Sequence, residues 1–426
     1  MPNGDATSHL YRPKLVSVLA EGYGPGDLRR DATAGLTVAV LALPLSMAIA
    51  VASGVPPERG LYTAIVGGFV VSALGGSRFQ IGGPAGAFIV LVSATVAQLG
   101  LAGLAVTVAL SGLMLTALGL FRLGGLIRHI PHAVTVGFTA GIGVTILASQ
   151  IKDLAGLTLA GAEPGPVWPK LMAMAGAAPT FNAAALAVGV GVTAVILMIR
   201  RYRPAWPGML VALAAATAIV EWAHLPVETI GSRFGGIPQS LPAPALPAIT
   251  WPLVLACLPA AVAFTVLGGL ESLLSAKVAD GLTGRVHRSN MELVAQGLAN
   301  LASAAFGGIA VTGTIARTAA NIRAGAVGPI AGILHALFLL LFMLLAAPLA
   351  AHIPLAALAG ILVVVAWNMI EAREIAGLLA NWRAGVVVLA TFGFTVLHDL
   401  TAGLLAGCGA ALLFWLSSQA ARRLRP

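Results

Sequence analysis

The sequence predicts an all-α polytopic membrane protein with 14 transmembrane segments in a 7+7 inverted repeat, and three observations predict this fold class. Hydrophobic residues make up 58% of the chain and charged residues only 9%, whereas about a quarter of the residues of a soluble domain are charged. Apolar runs recur along the chain at the length of roughly 20 residues that a spanning helix needs. Lys and Arg cluster in alternate short loops, as expected for loops that stay in the cytoplasm.

The placement of the cations sets the predicted topology. With the N-terminus in the cytoplasm, the internal loops and the two ends hold about twenty of the 24 Lys and Arg. The internal-loop cations are Arg78, Arg122, Arg128, Arg200, Arg201, Arg203, Lys277, Arg285, Arg288, Arg317, Arg323, Arg373 and Arg383. The external loops keep Arg59, Lys152, Lys170 and Arg233. The net charge of +9 therefore follows from topology and does not indicate a nucleic-acid partner.

A long Pro-rich loop, 223–252, divides the chain. Seven predicted segments precede it and seven follow it, and because seven is odd, the second half must enter the bilayer from the opposite side. We expect a cytoplasmic N-terminal segment at 1–33, a first repeat at 34–222, an extracytoplasmic connecting loop at 223–252, a second repeat at 253–418 and a cytoplasmic tail at 419–426. The composition, rich in Ala and Arg, is typical of a GC-rich bacterium, which would place the protein in a bacterial cytoplasmic (inner) membrane.

Each element follows from its local sequence. The lead-in 1–33 is polar and should include an interfacial helix, Pro44 interrupts the first span, and the loop 153–180 is rich in Gly, Pro and Ala. The predicted segments lie at 34–52, 61–74, 75–99, 103–121, 132–151, 181–199, 207–222, 253–276, 291–306, 314–325, 329–350, 354–370, 384–397 and 400–418.

The third segment of each half is broken. In 75–99, glycines exclude a regular helix up to Gly83, so a half-helix should begin near Pro84, a residue suited to a first helical turn. In GGIAVTGTIARTAANIRAGA (307–326), a charged arginine comes so soon after glycine that we predict an irregular strand and then a half-helix from about Thr314 to Gly325.

Paired broken segments at corresponding positions of two repeats are typical of a midplane binding site in transporters. Each half-helix would bring unpaired N–H groups and a partial positive charge to membrane depth. Together they favour an anion site, and the alternative for 307–326 is a plain cytoplasmic loop.

Glu271 falls well inside the apolar span FTVLGGLESLLSAKVAD. An ionisable group at that depth is costly unless it faces a cavity or a partner, so it is a functional candidate. Ser275 lies four residues further on and shares its helical face. The two residues could form a proton or cation coupling site or order the substrate site. Alternatively, Glu271 is structural and accepts hydrogen bonds from half-helix N–H groups or pairs with Arg317.

Other polar residues near the broken segments also allow two interpretations. Arg317 could face the substrate or serve as the structural partner of Glu271. Thr312 and Thr314 could donate hydroxyl hydrogen bonds to a substrate or cap the half-helix. Pro44 and Ser46, in the first span, fit both a helix kink and a cavity wall.

Neither a cofactor nor a metal site is expected. His335, His352 and His398 are scattered without the spacing of metal ligands, and Cys257 and Cys408 lie inside apolar runs. The sequence has no Walker A motif and no convincing nucleophile–base constellation, so we do not expect an enzyme.

Three stretches resemble the SulP (sulfate permease) family of anion transporters: DATAGLTVAVLALPLSMAIAVASGVPPERGLYTAIVGG, GGSRFQIGGPAGAF and ESLLSAKVADGLTGRVHRSNMELVAQGLANLASAAFGGIAVTGTIARTAANIRAGA. The resemblance spans about residues 28–418. It implies core and gate domains, a substrate site between the N-termini of segments 3 and 10, and an elevator-like movement of the core. The implied partners are a small inorganic or organic anion, the lipid bilayer and a second copy in a homodimer.

The family's functional positions can be carried over residue by residue. Pro84 and Ala85 match the start of half-helix 3, and Leu45 and Ile49 match cavity-lining positions of the first span. Glu271 matches the acidic position of span 8. The start of half-helix 10 matches Thr314, Ile315, Ala316 and Arg317, with Arg317 on the family's basic position.

Three departures accompany this resemblance. Family members usually carry a C-terminal STAS domain, whereas this sequence stops after the fourteenth segment, so the transmembrane part alone is expected. Ala316 stands where a serine often precedes the arginine, which removes a hydroxyl donor. Sodium-coupled bicarbonate relatives have Asp, Thr and Thr at the positions of Glu271, Ser275 and Ile315, so proton coupling or exchange is favoured over sodium coupling.

The sequence thus predicts a secondary active transporter of small anions. Sulfate is the leading substrate, with bicarbonate and small dicarboxylates close behind. A nucleobase permease of the same fold is the nearest alternative, but such sites rely on carboxylates to bind a neutral base, whereas here one mid-span carboxylate accompanies an arginine. An uncoupled anion channel is a further alternative.

Overall fold

The computed structural model describes residues 11–125, 131–161, 163–164, 166–204, 206–247, 249–398 and 400–423. Parts of several sequence-based predictions fall outside these residues: the first ten residues of the segment 1–33, the internal cation Arg128, residues 162 and 165 of the loop 153–180, residue 248 of the loop 223–252, and the last three residues of the tail 419–426.

The described chain is almost entirely helical. Its first half contains α1 (Lys14–Ala20), α2 (Pro25–Ala52), α3 (Pro57–Tyr62), α4 (Gly68–Leu74), α5 (Ile89–Leu120), α6 (His132–Leu154), α7 (Val167–Gly176), α8 (Ala183–Tyr202), α9 (Gly208–Trp222) and α10 (Ile230–Phe234). Its second half contains α11 (Trp251–Thr283), α12 (Ser289–Ala305), α13 (Ile315–Arg323), α14 (Ile330–Ala350), α15 (Leu355–Met369), α16 (Ala372–Leu379), α17 (Trp382–Leu397) and α18 (Leu400–Arg423). Two short strands, β1 (Gly82–Gly83) and β2 (Thr312–Gly313), form the sheet.

Seven helices in the described part of the chain are long and apolar enough to cross a membrane, and three shorter apolar helices accompany them. The prediction of an all-α polytopic membrane protein is therefore confirmed. The seven long helices are Pro25–Ala52, Gly86–Leu120, His132–Leu154, Ala183–Tyr202, Trp251–Thr283, Ile330–Ala350 and Leu355–Leu379. The count of fourteen segments and their inverted repeat stay predictions.

Helix α5 carries a break that matches two predicted segments. Gly100 adopts φ +66° and ψ −173°, a conformation that lies outside the helical region and favours glycine. The residues before Gly100 correspond to the half-helix predicted within 75–99, and those after it correspond to the segment predicted at 103–121.

The first long helix begins earlier than the sequence suggested. We expected a span from about Ala34, but α2 starts at Pro25, whose fixed φ suits a first helical turn. The side chain of Asp27 accepts a hydrogen bond of 3.1 Å from the Gly24 N–H and satisfies a donor at the helix start. Polar residues thus form the first turns of α2 instead of a separate lead-in, and α1 precedes them.

The loop predicted at 153–180 contains the helix α7. One side of α7 is buried, with Lys170 and Met174 4% exposed. The sequence pattern missed this helix because a buried lysine lies on its inner side.

Helices α5, α11 and α12 pack against one another, and α2 packs against α14. Phe88, at the start of the α5 segment, meets Phe264 of α11 edge-to-face at 5.3 Å between ring centroids. This packing holds the two strands in the middle of the helical bundle, where the candidate site lies.

Candidate functional site

The two broken segments meet in an antiparallel strand pair. Gly82 lies opposite Gly313 and Gly83 opposite Thr312, and the Thr314 N–H donates to the Ile81 carbonyl over 3.2 Å. Each strand leads directly into a helix start, so the pairing brings the starts of the two half-helices next to each other. Irregular backbone of this kind is tolerated at membrane depth when it is buried in protein or lines a cavity.

Helix α11 supports this strand pair with its serine hydroxyls. Ser272 Oγ accepts from the Gly313 N–H over 3.1 Å and lies 2.8 Å from Thr312 Oγ1. Ser275 Oγ donates to Thr318 Oγ1 of α13 over 3.2 Å. The predicted coupling residue Ser275 is therefore hydrogen-bonded to α13, which is half-helix 10, and Thr312 is hydrogen-bonded to α11.

Arg317 lies in the first turn of α13 and is only 4% exposed. Its Nη2 donates to the Pro84 carbonyl over 2.9 Å and lies 3.5 Å from Ser46 Oγ. Its Nε and Nη1 are buried, and no hydrogen-bond partner for them exists among the described residues. A methyl group at Gly83 would collide with Nη1, so the absence of a side chain there lets the guanidinium lie against the strand. One arginine thus links both half-helices and keeps two donor nitrogens available.

The remaining residues at the start of α13 are more accessible. Ile315 and Ala316 are exposed. Thr314 is the N-cap residue and is buried, but its side chain makes no capping hydrogen bond, and within the described chain its Oγ1 has no partner. The capping interpretation of Thr314 therefore does not match the structure. Its hydroxyl remains available as a donor beside the first N–H groups of α13, which have no intrahelical acceptor.

The first half-helix begins two residues later than expected. We predicted a start near Pro84, but Pro84 and Ala85 remain extended, a 3₁₀ turn follows at Gly86–Phe88, and regular helix begins at Ile89. The reason is the Pro84 carbonyl, which accepts from Arg317 and so belongs to the connection between the two segments. Ala85 is buried beside it.

Glu271 retains some exposure, while its Oε2 is buried and finds no hydrogen-bond partner in the part of the chain that the structure describes. Across those same residues, no ion pair within 4.0 Å joins Glu271 to Arg317, although their helices, α11 and α13, are in contact. The structural interpretation, in which Glu271 pairs with Arg317 or is saturated by half-helix N–H groups, is thus not what the structure shows. Glu271 is a carboxylate next to the arginine with a free oxygen.

The residues of α2 that were predicted to line a cavity differ in exposure. Leu45 is half-buried, and Ile49 is fully buried in the main hydrophobic core. Ser46 is buried, with its hydroxyl towards Arg317. The helix continues through Pro44, which is buried as well.

Sequence reasoning missed two buried carboxylates. Asp31 is fully buried and accepts from the backbone N–H groups of Val327 and Gly328, at 2.6 and 3.2 Å, just after α13. Glu292 is fully buried in α12 and accepts from the Ser77 N–H over 2.8 Å.

A signal for Glu292 was present in the sequence. Glu292, Gln296 and Asn300 recur every four residues and line one buried face of α12. Gln296 Nε2 donates to Glu292 over 2.9 Å, and Asn300 pairs with both backbone groups of Val311, just before β2. This polar stripe positions the backbone that leads into the two half-helices.

The chemistry of the site follows from these contacts. Two helix starts, a buried guanidinium with two available nitrogens and a free threonine hydroxyl all offer hydrogen-bond donors and positive charge. Such a site suits a small oxyanion.

Comparison with known proteins identifies the family of this chain. The Sulfate permease family matches residues 28–391. The putative sulfate transporter YvdB of Bacillus subtilis is 43% identical over 93% of this chain and 75% of its own length. The bicarbonate transporter BicA of Picosynechococcus is 33% identical over 88% of this chain and 68% of its own length.

A solved structure extends the likeness to three dimensions. The transmembrane domain of a cyanobacterial bicarbonate transporter BicA superposes with a TM-score of 0.81 at 32% identity, covering 89% of this chain and 97% of that one. The family match alone covers well over half of the chain. The chain therefore belongs to the sulfate permease family.

Proposed function

We propose that this protein is a secondary active transporter of small anions, with sulfate as its principal substrate. The observation that carries the proposal is the buried Arg317 guanidinium at the junction of two half-helix starts, with Nε and Nη1 unpaired among the described residues. A buried charge without full pairing is costly. A bound oxyanion would supply the missing acceptors and the opposite charge.

The substrate-binding residues follow from that geometry. Arg317 and Thr314 donate from side chains, while Ile315 and Ala316 contribute the accessible first turn of α13. We assign the opposing wall to Pro84, whose carbonyl accepts from Arg317, and to Ala85, and we include Leu45 and Ile49 of α2 on the family resemblance. Membership of the family and the likeness to a putative sulfate transporter support sulfate as the leading candidate.

Bicarbonate is the second candidate, and a specific observation favours it. The superposed solved structure is that of a bicarbonate transporter, and relatives described as bicarbonate transporters share 31–33% identity with this chain. Transport of dicarboxylates and uncoupled conduction of anions are further alternatives, which the experiment below separates, and nucleobase transport is a more distant one.

The transport mechanism we propose is an elevator-type alternating access. The core would comprise the segments that carry the strand pair and the half-helices, and it would move against a gate formed by the other segments. We assign this boundary to the start of half-helix 3, because Ile146 of α6 and Val365 and Met369 of α15 surround Gly86. Movement along this boundary would carry the bound anion across the membrane.

Glu271, with Ser275 holding α13 in place, is the proposed coupling group. A carboxylate with a buried free oxygen beside Arg317 can exchange a proton, and its charge changes the electrostatic potential at the anion site. Proton coupling is therefore proposed, with sodium coupling less favoured. We also propose a homodimer in a bacterial cytoplasmic membrane with both termini cytoplasmic.

Uptake of radiolabelled sulfate into proteoliposomes, under an imposed proton gradient and separately under a sodium gradient, tests this proposal. We expect saturable uptake driven by the proton gradient in the wild type and loss of the gradient dependence in Glu271→Gln. Glu58→Gln is the matched control, because Glu58 Oε2 is also buried without a partner in the described chain but lies in the first turn of α3.

Sodium-driven uptake would overturn proton coupling. Absence of sulfate uptake, with bicarbonate or dicarboxylate uptake in its place, would overturn the substrate. A large conductance without saturation or counter-transport would identify a channel.

A further inference from the structure

A second polar cavity lies apart from the strand pair. It has a volume of about 430 Å³ and is walled by the end of α2, the first part of α5, the end of α6 and the connecting loops. Its polar lining includes Gln150, Lys152, Glu163 and Arg233. Three of the four cations assigned to external loops lie here: Lys152 and Arg233 line the cavity, and Lys170 contacts its lining residue Glu163.

One carboxylate in this cavity bridges two lysines. Glu163 Oε1 lies 2.9 Å from Lys170 Nζ, and Glu163 Oε2 lies 3.6 Å from Lys152 Nζ. Lys170 is 4% exposed, and its Nζ also donates to Ser149 Oγ. The two ammonium groups and this serine therefore form a built site, which the two oxygens of the Glu163 carboxylate already occupy as those of a small oxyanion would.

Gln150 supplies an independent indication of a ligand. This residue lines the cavity and is 2% exposed, and its amide Nε2 is buried with no hydrogen-bond partner across the described ranges. Leaving a buried donor unsatisfied costs about 1–3 kcal/mol. An acceptor entering the cavity would satisfy it.

The remaining charged side chains of the cavity form ion pairs with one another. Arg233 Nη1 lies 3.1 Å from Asp153 Oδ1 and 3.8 Å from Glu228 Oε2. With Glu163 in place, three cations face three carboxylates. When Glu163 leaves its position, one positive charge is in excess, and it is located on the two lysines.

We propose that the Lys152–Lys170 pair is a second anion site, at which a small oxyanion displaces the Glu163 carboxylate before it reaches the central site. Glu163 acts as a tethered competitor for this site. This inference rests on the proposed function in that it takes the transported anion as the ligand.

The position of the cavity suits such a role. Ser93 and Ala97 of α5 form part of its wall, seven to eleven residues beyond the 3₁₀ turn that starts at Gly86, which is roughly 10–16 Å along a helix. Ser53, at the end of α2, lines the cavity as well. The second site thus lies beside both elements that form the central site, on the side predicted to be extracytoplasmic.

Binding of radiolabelled sulfate to the purified full chain in nanodiscs tests the second site. The measurements are made in an Arg317→Gln background, so that the outcome is independent of the central site. In this background we expect Glu163→Gln to raise sulfate affinity by about tenfold, since it removes a tethered competitor. Adding Lys152→Gln should abolish that gain.

Glu228→Gln is the matched control, because it removes the same charge from the same cavity without touching the lysines, and its affinity should stay that of the background. Glu163→Asp retains the charge on a shorter side chain that cannot span both ammonium groups, and it should give an intermediate affinity. This variant also keeps the test informative if Glu163→Gln fails to fold.

Equal effects of Glu163→Gln and Glu228→Gln would reduce the result to net charge and overturn the proposal. Absence of sulfate binding in the Glu163 variants would overturn it too. Failure of the central-site assignment gives a different signature, namely that Arg317→Gln leaves the affinity of the wild-type chain unchanged.

Discussion

Replacing Arg317 should separate its charge from its hydrogen-bonding geometry. The side chain uses Nη2 to bind the Pro84 carbonyl, and Nε and Nη1 have no partner in the described residues. Two hydrogen bonds from these nitrogens to an anion are worth about 1.5–3 kcal/mol each. Arg317→Gln removes both bonds, so we expect a loss of about 3–6 kcal/mol, or roughly 10²–10⁴-fold in Kd.

Arg317→Lys keeps the charge but loses the planar fork of donors. Because a lysine can replace one of the two bonds, the expected loss is roughly 10–100-fold in Kd. The order of affinity should therefore be wild type, Arg317→Lys and Arg317→Gln. Isothermal titration calorimetry with sulfate measures these affinities. Thermal unfolding of each variant checks that the hydrogen bond from Arg317 to the Pro84 carbonyl is not needed for folding.

Arg323→Gln is the control for this series. Arg323 lies in the last turn of the same helix, is exposed and bonds the carbonyl of its own helix, so its replacement changes the same charge without touching the site. Sulfate affinity in Arg317→Gln equal to that in Arg323→Gln would refute the assignment of Arg317 to the anion site.

Three further predictions follow from single contacts. Gly83→Ala places a methyl group against Arg317 Nη1; we expect transport to fall at least tenfold while the purified protein remains monodisperse, and unchanged uptake kinetics would contradict this geometry. Asp31→Asn weakens charge-assisted hydrogen bonds to two backbone N–H groups and should lower the free energy of unfolding by about 1–3 kcal/mol, measured by denaturant titration; equal stability would show that the charge is not needed. Arg78 lies 2.6 Å from Glu21, and its hydrogen bond lowers the pKa of the Glu21 carboxyl below 4.5. This pair therefore adds stability above pH 4.5, and that stability is lost as the pH falls through the lower folded-state pKa. The thermal unfolding temperature of Glu21→Gln should differ slightly from that of the wild type at pH 7 and match it near pH 3.

The sequence located the elements of the site well. Glycine and proline in 75–99 and 307–326 excluded continuous spanning helices, and the structure indeed has a strand and then a helix start in both segments. Arg317 was identified because a full positive charge follows Gly313 so closely that it falls in the first turn of the predicted half-helix.

The exact residues at which the helices begin were harder to predict. Pro84 is a good first helical residue by local preference, yet its carbonyl is used by Arg317, which lies more than 230 residues further along the chain. The long-range hydrogen bond from Arg317 to Pro84 therefore outweighed the local preference of proline for a first helical turn. The buried Lys170 concealed α7 in the same way, because its ion pair with Glu163 makes burial tolerable there.

Hydrophobicity and charge placement, which are sums over local residues, determined from sequence alone that this chain is a helical membrane protein with two broken segments and an arginine at the second. Only the tertiary structure decided which distant groups meet: the pairing of Gly82 with Gly313, the position of Arg317 between the two segments, and the carboxylate of Glu163 between two lysines. The physical reason is that burial of apolar surface is nearly indifferent to which neighbour covers it, whereas hydrogen bonds and charges depend on distance and direction, which the folded chain alone fixes.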